Sequence, residues 1–442
     1  MEVHDIGDRG ADALRAVERV RGDETGLLIP AHQQALLEGG ASFLTDAFRA
    51  FGSISADNRV TAIRKVDPCP GGSTGKKVFL ELEYLRQESG LHADLFVKFS
   101  RDFDDPVRDE RGRYEMEGEV KLAALSHLPE FPVTVPRAYF ADYEAHSHTG
   151  LIITERVGFG SGAIEPHKEK CLDHELADPL PYYRTILTSL ARISAMSRSP
   201  AHSAMFERSF PFDPVEAAGA IAIQGDADGL LARIDSFAEF VSRHRHLYPE
   251  GIDASLFADM RRLAPVVHAH QRKLAAFLQS DPEMIAFCHW NANIDNAWFW
   301  RDGSGRLQCG LMDWGHAGRM NVAYSLWGCL SGAHFGVWRR HLDEMIDVFV
   351  ETLNAQADVA LDHARVARHF RIYVALMGLS YFIDAPARIR SRFPGFADAT
   401  DRYDPVFKRY PAARNQLHIS LAFLELWRQG GIEAEIEQVV SA

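Results

Sequence analysis

The stretch FCHWNANIDNAWFW, residues 287–300, sets a histidine, three asparagines and an aspartate just ahead of an apolar run. Further on, LMDW places Asp313 at the end of a second apolar run. Asp302-Gly303-Ser304-Gly305 stands between the runs and is strong turn chemistry, so a hairpin is expected with strands at 297–301 and 306–312. A hairpin brings its outer ends together, which sets Asn296 beside Asp313. A carboxamide and a carboxylate so placed can share a hard, oxygen-seeking ion such as Mg2+. Magnesium keeps waters and substrate phosphates in its shell, so two protein ligands are enough.

A second set of residues lies upstream. Lys98, in LFVKFS, sits in a strand that would bury its ammonium unless the charge has a partner or a task. Glu119 on the following helix, RYEMEGEVKLAALSHL, can supply the partner, with Glu115 as its nearest competitor. A lysine held this way can hold nucleotide phosphates. Gly71, Gly72, Ser73, Thr74 and Gly75 form the loop PGGSTGKK between two strands, and its glycines and hydroxyls let backbone fold closely over phosphates. It is not a P-loop: the glycine spacing is one residue short, and a strand follows where a helix should.

In order and spacing, these motifs resemble those of the aminoglycoside phosphotransferase and choline kinase family over roughly Arg59 to Leu330. HWNANIDN is similar to the family's H-G-D-x-x-x-x-N loop, with His289 first and Asn296 last. LMDWGHAG looks like its I-D-W/F-x-x-A-G metal motif. EVKLAALSHLPEFPVTVPRAYF resembles the helix that opens on the lysine-pairing glutamate, and LIITERV the strand entering the hinge. The resemblance implies a bilobal protein-kinase-like fold of the α+β class. It implies ATP, or GTP, and Mg2+ as cofactors, with the nucleotide between the lobes and the backbone near Glu155 and Val157 on the adenine edge. Asn296 and Asp313 become the metal ligands, and the acceptor is a hydroxyl of a small molecule in a pocket formed by the later helices.

One position departs from that pattern. The family's catalytic aspartate falls on Asn291, which joins His289 as the catalytic-loop pair. A neutral amide can orient an acceptor hydroxyl but cannot usefully take its proton, and loss of a general base typically costs ~10²–10⁴-fold. Phosphoryl transfer relies mainly on positioning and charge neutralisation, so such a loss is not fatal. Three readings stay open: a phosphotransferase, a pseudokinase-type nucleotide-binding regulatory module, and a nucleotidyl transferase. Asp295 and His316 are the side chains that could stand in as base. His289 itself reads as a residue that packs and hydrogen-bonds the loop.

The elements that must position these residues follow from the patterning. Residues 1–57 read as an N-terminal helical extension, with the helix over AHQQALLEGGASFLTDAFRAFG broken at Gly39-Gly40. Residues 58–157 read as a small nucleotide-binding lobe, an antiparallel sheet with one key helix. Residues 158–442 read as a larger, mainly helical lobe that carries the hairpin, the metal and catalytic loop and the acceptor pocket. Helices are expected at 183–198, 255–279, 341–356, 361–389 (interrupted) and 416–429. A length of 442 residues suits two lobes. The formal charge of −13 argues against nucleic acid or anionic membrane as partner. Five cysteines without a CxxC pair point to free thiols in a reducing compartment, and the acidic N-terminus has no apolar leader, so the cytoplasm is the expected location. No apolar run approaches the ~20 residues that span a bilayer. The pairs His244/His246 and His268/His270 lack a further ligand and read as surface histidines. The acidic run Asp102 to Glu119 reads as a solvated loop and helix start. Oligomeric state and acceptor identity are not legible.

Overall fold

Alternating side chains build the first sheet. In Lys76–Tyr84, Val78, Leu80 and Leu82 are buried while Glu81 and Glu83 face water, the period-2 pattern of a strand with one covered face. The computed structural model describes residues 18–357 and 359–441. Residues 1–17 of the expected N-terminal extension lie outside the described residues. The chain divides into two compact units: residues up to Gly158 together with Met312–Ala317, and Phe159–Leu311 together with Gly318–Ala442.

The first unit opens with a short hairpin, β1 (Arg19–Arg21) and β2 (Leu28–Pro30), and helix α1 (Gln33–Ala50). α1 is kinked at Gly40, whose φ of 56° lies in the left-handed region that glycine tolerates. There follow β3 (Val60–Pro68), β4 (Lys76–Tyr84), β5 (Asp94–Phe99), helix α2 (Pro106–Leu125), β6 (Ala138–Glu144) and β7 (Thr149–Glu155). The five strands form one antiparallel sheet in the order β3-β4-β5-β7-β6. Leu36, Leu44 and Phe48 of α1 join Leu80, Val97, Phe99 and Ile153 in one apolar core. Met116, Val120 and Ala123 of α2 cover Ala138, Ala141 and Ile152. The unit is therefore α+β, a small antiparallel sheet with one helix inserted between its third strand and the last two.

Helix α2 begins earlier than the apolar pattern suggests. Asp105 caps it by accepting from the N–H groups of Val107 and Arg108, and Pro106 takes the first turn, where no N–H is needed. The acidic run is not simply solvated. Asp102 is buried and lies 3.3 Å from Arg108, and Asp109 accepts from Arg101 at 2.8 Å. Burying the Arg101 guanidinium demanded the Asp109 carboxylate, and Asp102 has its partner in Arg108.

The second unit is mainly helical. Its long helices are α3 (Leu180–Arg198), α4 (Ala227–Arg243), α5 (Ala254–Ser280), α6 (Phe335–Gln356), α7 (His363–Ser380) and α8 (Pro411–Gln429). The expected break in the 361–389 stretch falls at Tyr381–Asp384, before a short helix at Ala385–Arg392. Short strands are embedded among the helices: β8 (Ile285–His289), β9 (Ala297–Arg301), β10 (Leu307–Leu311) and β11 (Ala317–Asn321). β9 and β10 form the expected hairpin, closing with Ala297 opposite Leu311. At its turn Asp302 accepts from Ser304 and Arg306 N–H, and Gly305 takes φ 80°. All five cysteines are free, and Cys288 and Cys309 are buried. Among the described residues no single helix is long and apolar enough to cross a membrane; one bent pair, His363–Ser380 with Phe382–Arg392, qualifies by length and composition only. Phe370, Val374 and Leu376 in that pair are buried in the helical unit.

His369 in α7 is buried, and its Nδ1 accepts from Asn321 Nδ2 at 2.8 Å, which fixes the neutral form. Burial pulls its pKa down from 6.5 to about 4. A base whose folded pKa is lowered contributes stability above its unfolded pKa, and this is lost as pH falls through the window between the two values. Denaturant midpoints should therefore drop between pH 7 and pH 5, and His369→Gln should flatten that drop. Equal slopes for the two proteins would refute this assignment.

Candidate functional site

In the first unit the site is built on the sheet face that α2 covers. Lys98 is only 2% exposed at the end of β5. Its Nζ donates to Glu119 Oε1 on α2, and Asp313 Oδ1 and Glu115 Oε2 stand at 3.6 and 4.0 Å. Glu119 is thus the direct partner and Glu115 a second, more distant one. Burial works against the Lys98 charge, but Glu119 and Asp313 outweigh it and hold the pKa above the ordinary lysine value. Asp313 sits at φ 62°, ψ 59°, a left-handed conformation that aspartate tolerates better than most residues. The turn Trp314–His316 follows, and His316 Nε2 lies 3.1 Å from Glu115 Oε1. That bond holds the His316 pKa up, so the imidazole is tuned toward its charged form and away from a base.

Close backbone approach makes this cluster possible. A Cβ on Gly112 would lie 2.7 Å from the Gly75 nitrogen, and one on Gly315 would lie 2.7 Å from the Glu115 Cβ. Gly75 is clamped to the start of α2: its N–H donates to Arg108 O at 2.9 Å, and the Arg108 guanidinium donates back to Gly75 O at 2.8 Å. Within the loop, Gly71, Gly72 and Ser73 are exposed, while Thr74 turns inward. The space that a Cβ on Gly72 would take is filled by the Lys77 ammonium. Lys77 stands directly opposite Lys98 in the β4–β5 register, so two lysines point to the same face beneath the glycine loop. Desolvation and the neighbouring Lys98 lower the Lys77 pKa. The sequence reading missed Lys77, because the strand pattern alone does not reveal which residues face each other across two strands.

Glu115, Glu119 and Asp313 offer carboxylate oxygens all within 4.8 Å of one another. This all-oxygen, multiply negative set has the donor chemistry of a magnesium or calcium site. Asp313, 38% exposed, is the member open to an incoming ion with its waters; Glu119 and Glu115 are only 12% and 11% exposed. No such grouping occurs at His244/His246 or His268/His270 among the described residues. Glu155 closes β7, its Oε1 accepting from Arg137 N–H at 3.1 Å, and Val157 follows two residues on.

In the second unit the residues from His289 to Asn296 are held as a polar network. His289 is fully buried, and its Nδ1 accepts the Asn291 N–H at 3.3 Å; its place is inside, fixing the loop. Asn291 Oδ1 accepts from Lys170 Nζ at 3.4 Å and from Asn293 Nδ2 at 3.3 Å. An ammonium only donates, so the amide oxygen must face Lys170 and the Asn291 NH2 must face away. Asn296 Nδ2 donates to Asn291 O at 2.8 Å, which commits the amide nitrogen and leaves Oδ1 as the atom that can accept or ligate. Asp295 Oδ1 is buried 3.7 Å from Lys170 Nζ, the environment of an ion-paired carboxylate. Lys170, which lies 121 residues before Asn291, was invisible to the sequence reading. Asn296 and Asp313 fall in different units.

No protein-family model and no curated protein matches the chain. Solved structures that match include an ethanolamine kinase of Plasmodium vivax, 11% identical, covering 73% of this chain and 76% of that one at a TM-score of 0.39. Spectinomycin phosphotransferase with ADP and spectinomycin is 10% identical over 82% of this chain and 94% of that one, TM-score 0.40. A choline kinase of Cryptosporidium parvum Iowa II is 11% identical over 81% and 88%, TM-score 0.39. These enzymes are of the kind that the sequence motifs resemble.

The buried ion pair makes a stability prediction. Removing one partner of a buried pair strands the other charge, at a cost of about 3 kcal/mol. Glu119→Leu should therefore destabilise the first unit, by less than that because Asp313 and Glu115 stay 3.6 and 4.0 Å from Lys98, and Lys98→Met in the same chain should restore part of the loss. Additive losses in the double variant, measured by denaturant unfolding, would contradict a direct pair.

Proposed function

We propose that the chain is a nucleotide- and Mg2+-dependent phosphotransferase that moves the terminal phosphoryl group of ATP or GTP to a hydroxyl of a small molecule. The observation that carries this reading is the buried Lys98 bound to Glu119 on α2, with Asp313 3.6 Å from the same ammonium. A strand lysine paired to a helix glutamate, next to a metal-binding aspartate, is the arrangement that neutralises nucleotide phosphates in kinases. In this reading Lys98 contacts the phosphates and Lys77 adds positive charge beneath the Gly71–Gly75 loop. Asp313 holds the ion, and Asn296 keeps the amide-ligand role given to it by its motif. The backbone at Glu155 and Val157 meets the nucleotide base. Mg2+ supplies charge neutralisation across the phosphates when bound.

Asn291 then acts by orientation. Its oxygen is taken by Lys170 and Asn293, so it presents N–H donors toward the acceptor and accepts no proton. The same observation favours a second reading, in which the chain binds nucleotide and transfers nothing. A third, nucleotidyl transfer, is separated by product mass.

The test is incubation with MgATP and a panel of small alcohols and amino-sugars, with products read by mass spectrometry. The expected product carries one added phosphoryl group, formed slowly by the wild type. Asn291→Asp should speed it by about 10²-fold, the low end for a restored base, because Lys170 would pair with the new carboxylate and weaken it. Nucleotide binding by both proteins with no acceptor modified by either would favour the binding-module reading. An AMP adduct would favour the third.

A further inference from the structure

The second unit also holds a cleft lined by His174, Arg402, Tyr403, Asp404, Lys408, Arg414 and His418. Arg414 and His418 are one turn apart on α8, so they share a face of the helix. The His174 and His418 rings lie parallel with centroids 6.0 Å apart, and the Tyr403 ring is 4.6 Å from His174. His418 Nε2 donates to the Arg402 carbonyl at 3.2 Å.

The donors in this cleft outnumber the acceptors. Arg414 is 3% exposed and sends one terminal nitrogen to Glu169 at 3.0 Å. Its Nε and Nη1 donors are buried with no partner, as is Arg402 Nε; His174 Nδ1 is buried without a partner too, and donates only in the tautomer that protonates it. The carboxylates at the border are already engaged. Glu169 is on Arg414, Glu175 pairs with Lys408 at 2.6 Å, and Asp404 caps its own loop through Val406 and Thr400 N–H. A buried donor left without an acceptor costs ~1–3 kcal/mol, and native proteins leave few of them. A guanidinium cannot accept, so whatever completes the cleft must bring lone pairs. One water accepts two hydrogen bonds; a tetrahedral oxyanion accepts many more.

We propose that this cleft binds a small oxyanion of the phosphate class, through Arg402 and Arg414 with His174 as a further donor. The cleft as it stands admits one water-sized sphere, so entry requires Tyr403 and Lys408 to swing outward. Both are exposed, held by His334 at 2.6 Å and by Glu175 at 2.6 Å.

The test is calorimetric titration of the full chain with inorganic phosphate, at ionic strength held constant with chloride. Saturable binding is expected, at least tenfold weaker in Arg402→Gln and lost in Arg414→Gln. Arg402 is only half-buried, so its variant keeps the test decisive if the Arg414 variant fails to fold, which circular dichroism will report. A parallel titration with glycerol phosphate separates two sources. Tighter binding of the ester means a phosphoryl group on a larger molecule, and tighter binding of inorganic phosphate means the free ion. Absence of saturable binding up to about 10 mM, or binding that both variants leave intact, would overturn the proposal in favour of a water-filled cleft.

Discussion

A single buried ammonium sets the terms for the first unit. Lys98 lies inside a sheet where an uncompensated charge would be expensive, so the fold must bring carboxylates to it from elsewhere in the chain. Glu119 comes from α2 and Asp313 from the turn after β10, 215 positions further on (313 − 98). That requirement explains the glycines. Gly75, Gly112 and Gly315 stand where the loop, the helix and the Asp313 turn come too close for a side chain. It also explains the surplus of negative charge. Three carboxylates surround one fully buried lysine, and Asp313 is the most exposed of them.

The second unit solves a different problem. Its loop from His289 to Asn296 is polar and largely buried, so each amide has to be satisfied. Asn291 is tied through backbone N–H, backbone carbonyl and side-chain oxygen at once. Asn293 accepts from Ser331 and Gly332, which ties the loop to the segment after the helix at Val322–Leu330. A loop fixed in this way is suited to catalysis by placement. An aspartate at 291 would face Lys170 as an ion pair; asparagine accepts from Lys170 and Asn293 without the charge. Placement and charge neutralisation are also the larger part of phosphoryl transfer.

Some of this was legible in the sequence. A lysine inside an apolar strand announces a need for a partner, and i, i+4 spacing on α2 narrowed the partner to Glu119 or Glu115. Turn chemistry at Asp302–Gly305 fixed the hairpin, and paired glycines marked the kink in α1. What escaped was whatever depends on neighbours distant in the chain. Lys77 faces Lys98 only because of the β4–β5 register, and Lys170 reaches Asn291 across 121 residues. The hairpin β1–β2 has strands of three residues, too short for a period to show. The helix Ala227–Arg243 went unread, although its buried Leu230, Ile234, Phe237 and Val241 keep the 3–4 spacing of an amphipathic helix. The acidic run after Phe99 looked solvated because charge composition does not reveal that Arg101 is buried with it.

The most direct measurement is calorimetric titration of a non-hydrolysable ATP analogue into the protein, with Mg2+ and with EDTA, for wild type and Asp313→Ala. The expected result is tight binding with Mg2+ in the wild type, weakened at least tenfold by EDTA or by the substitution while the fold is kept. Analogue binding that ignores both Mg2+ and Asp313, or no binding at all, would contradict a metal-assisted phosphate site at Lys98.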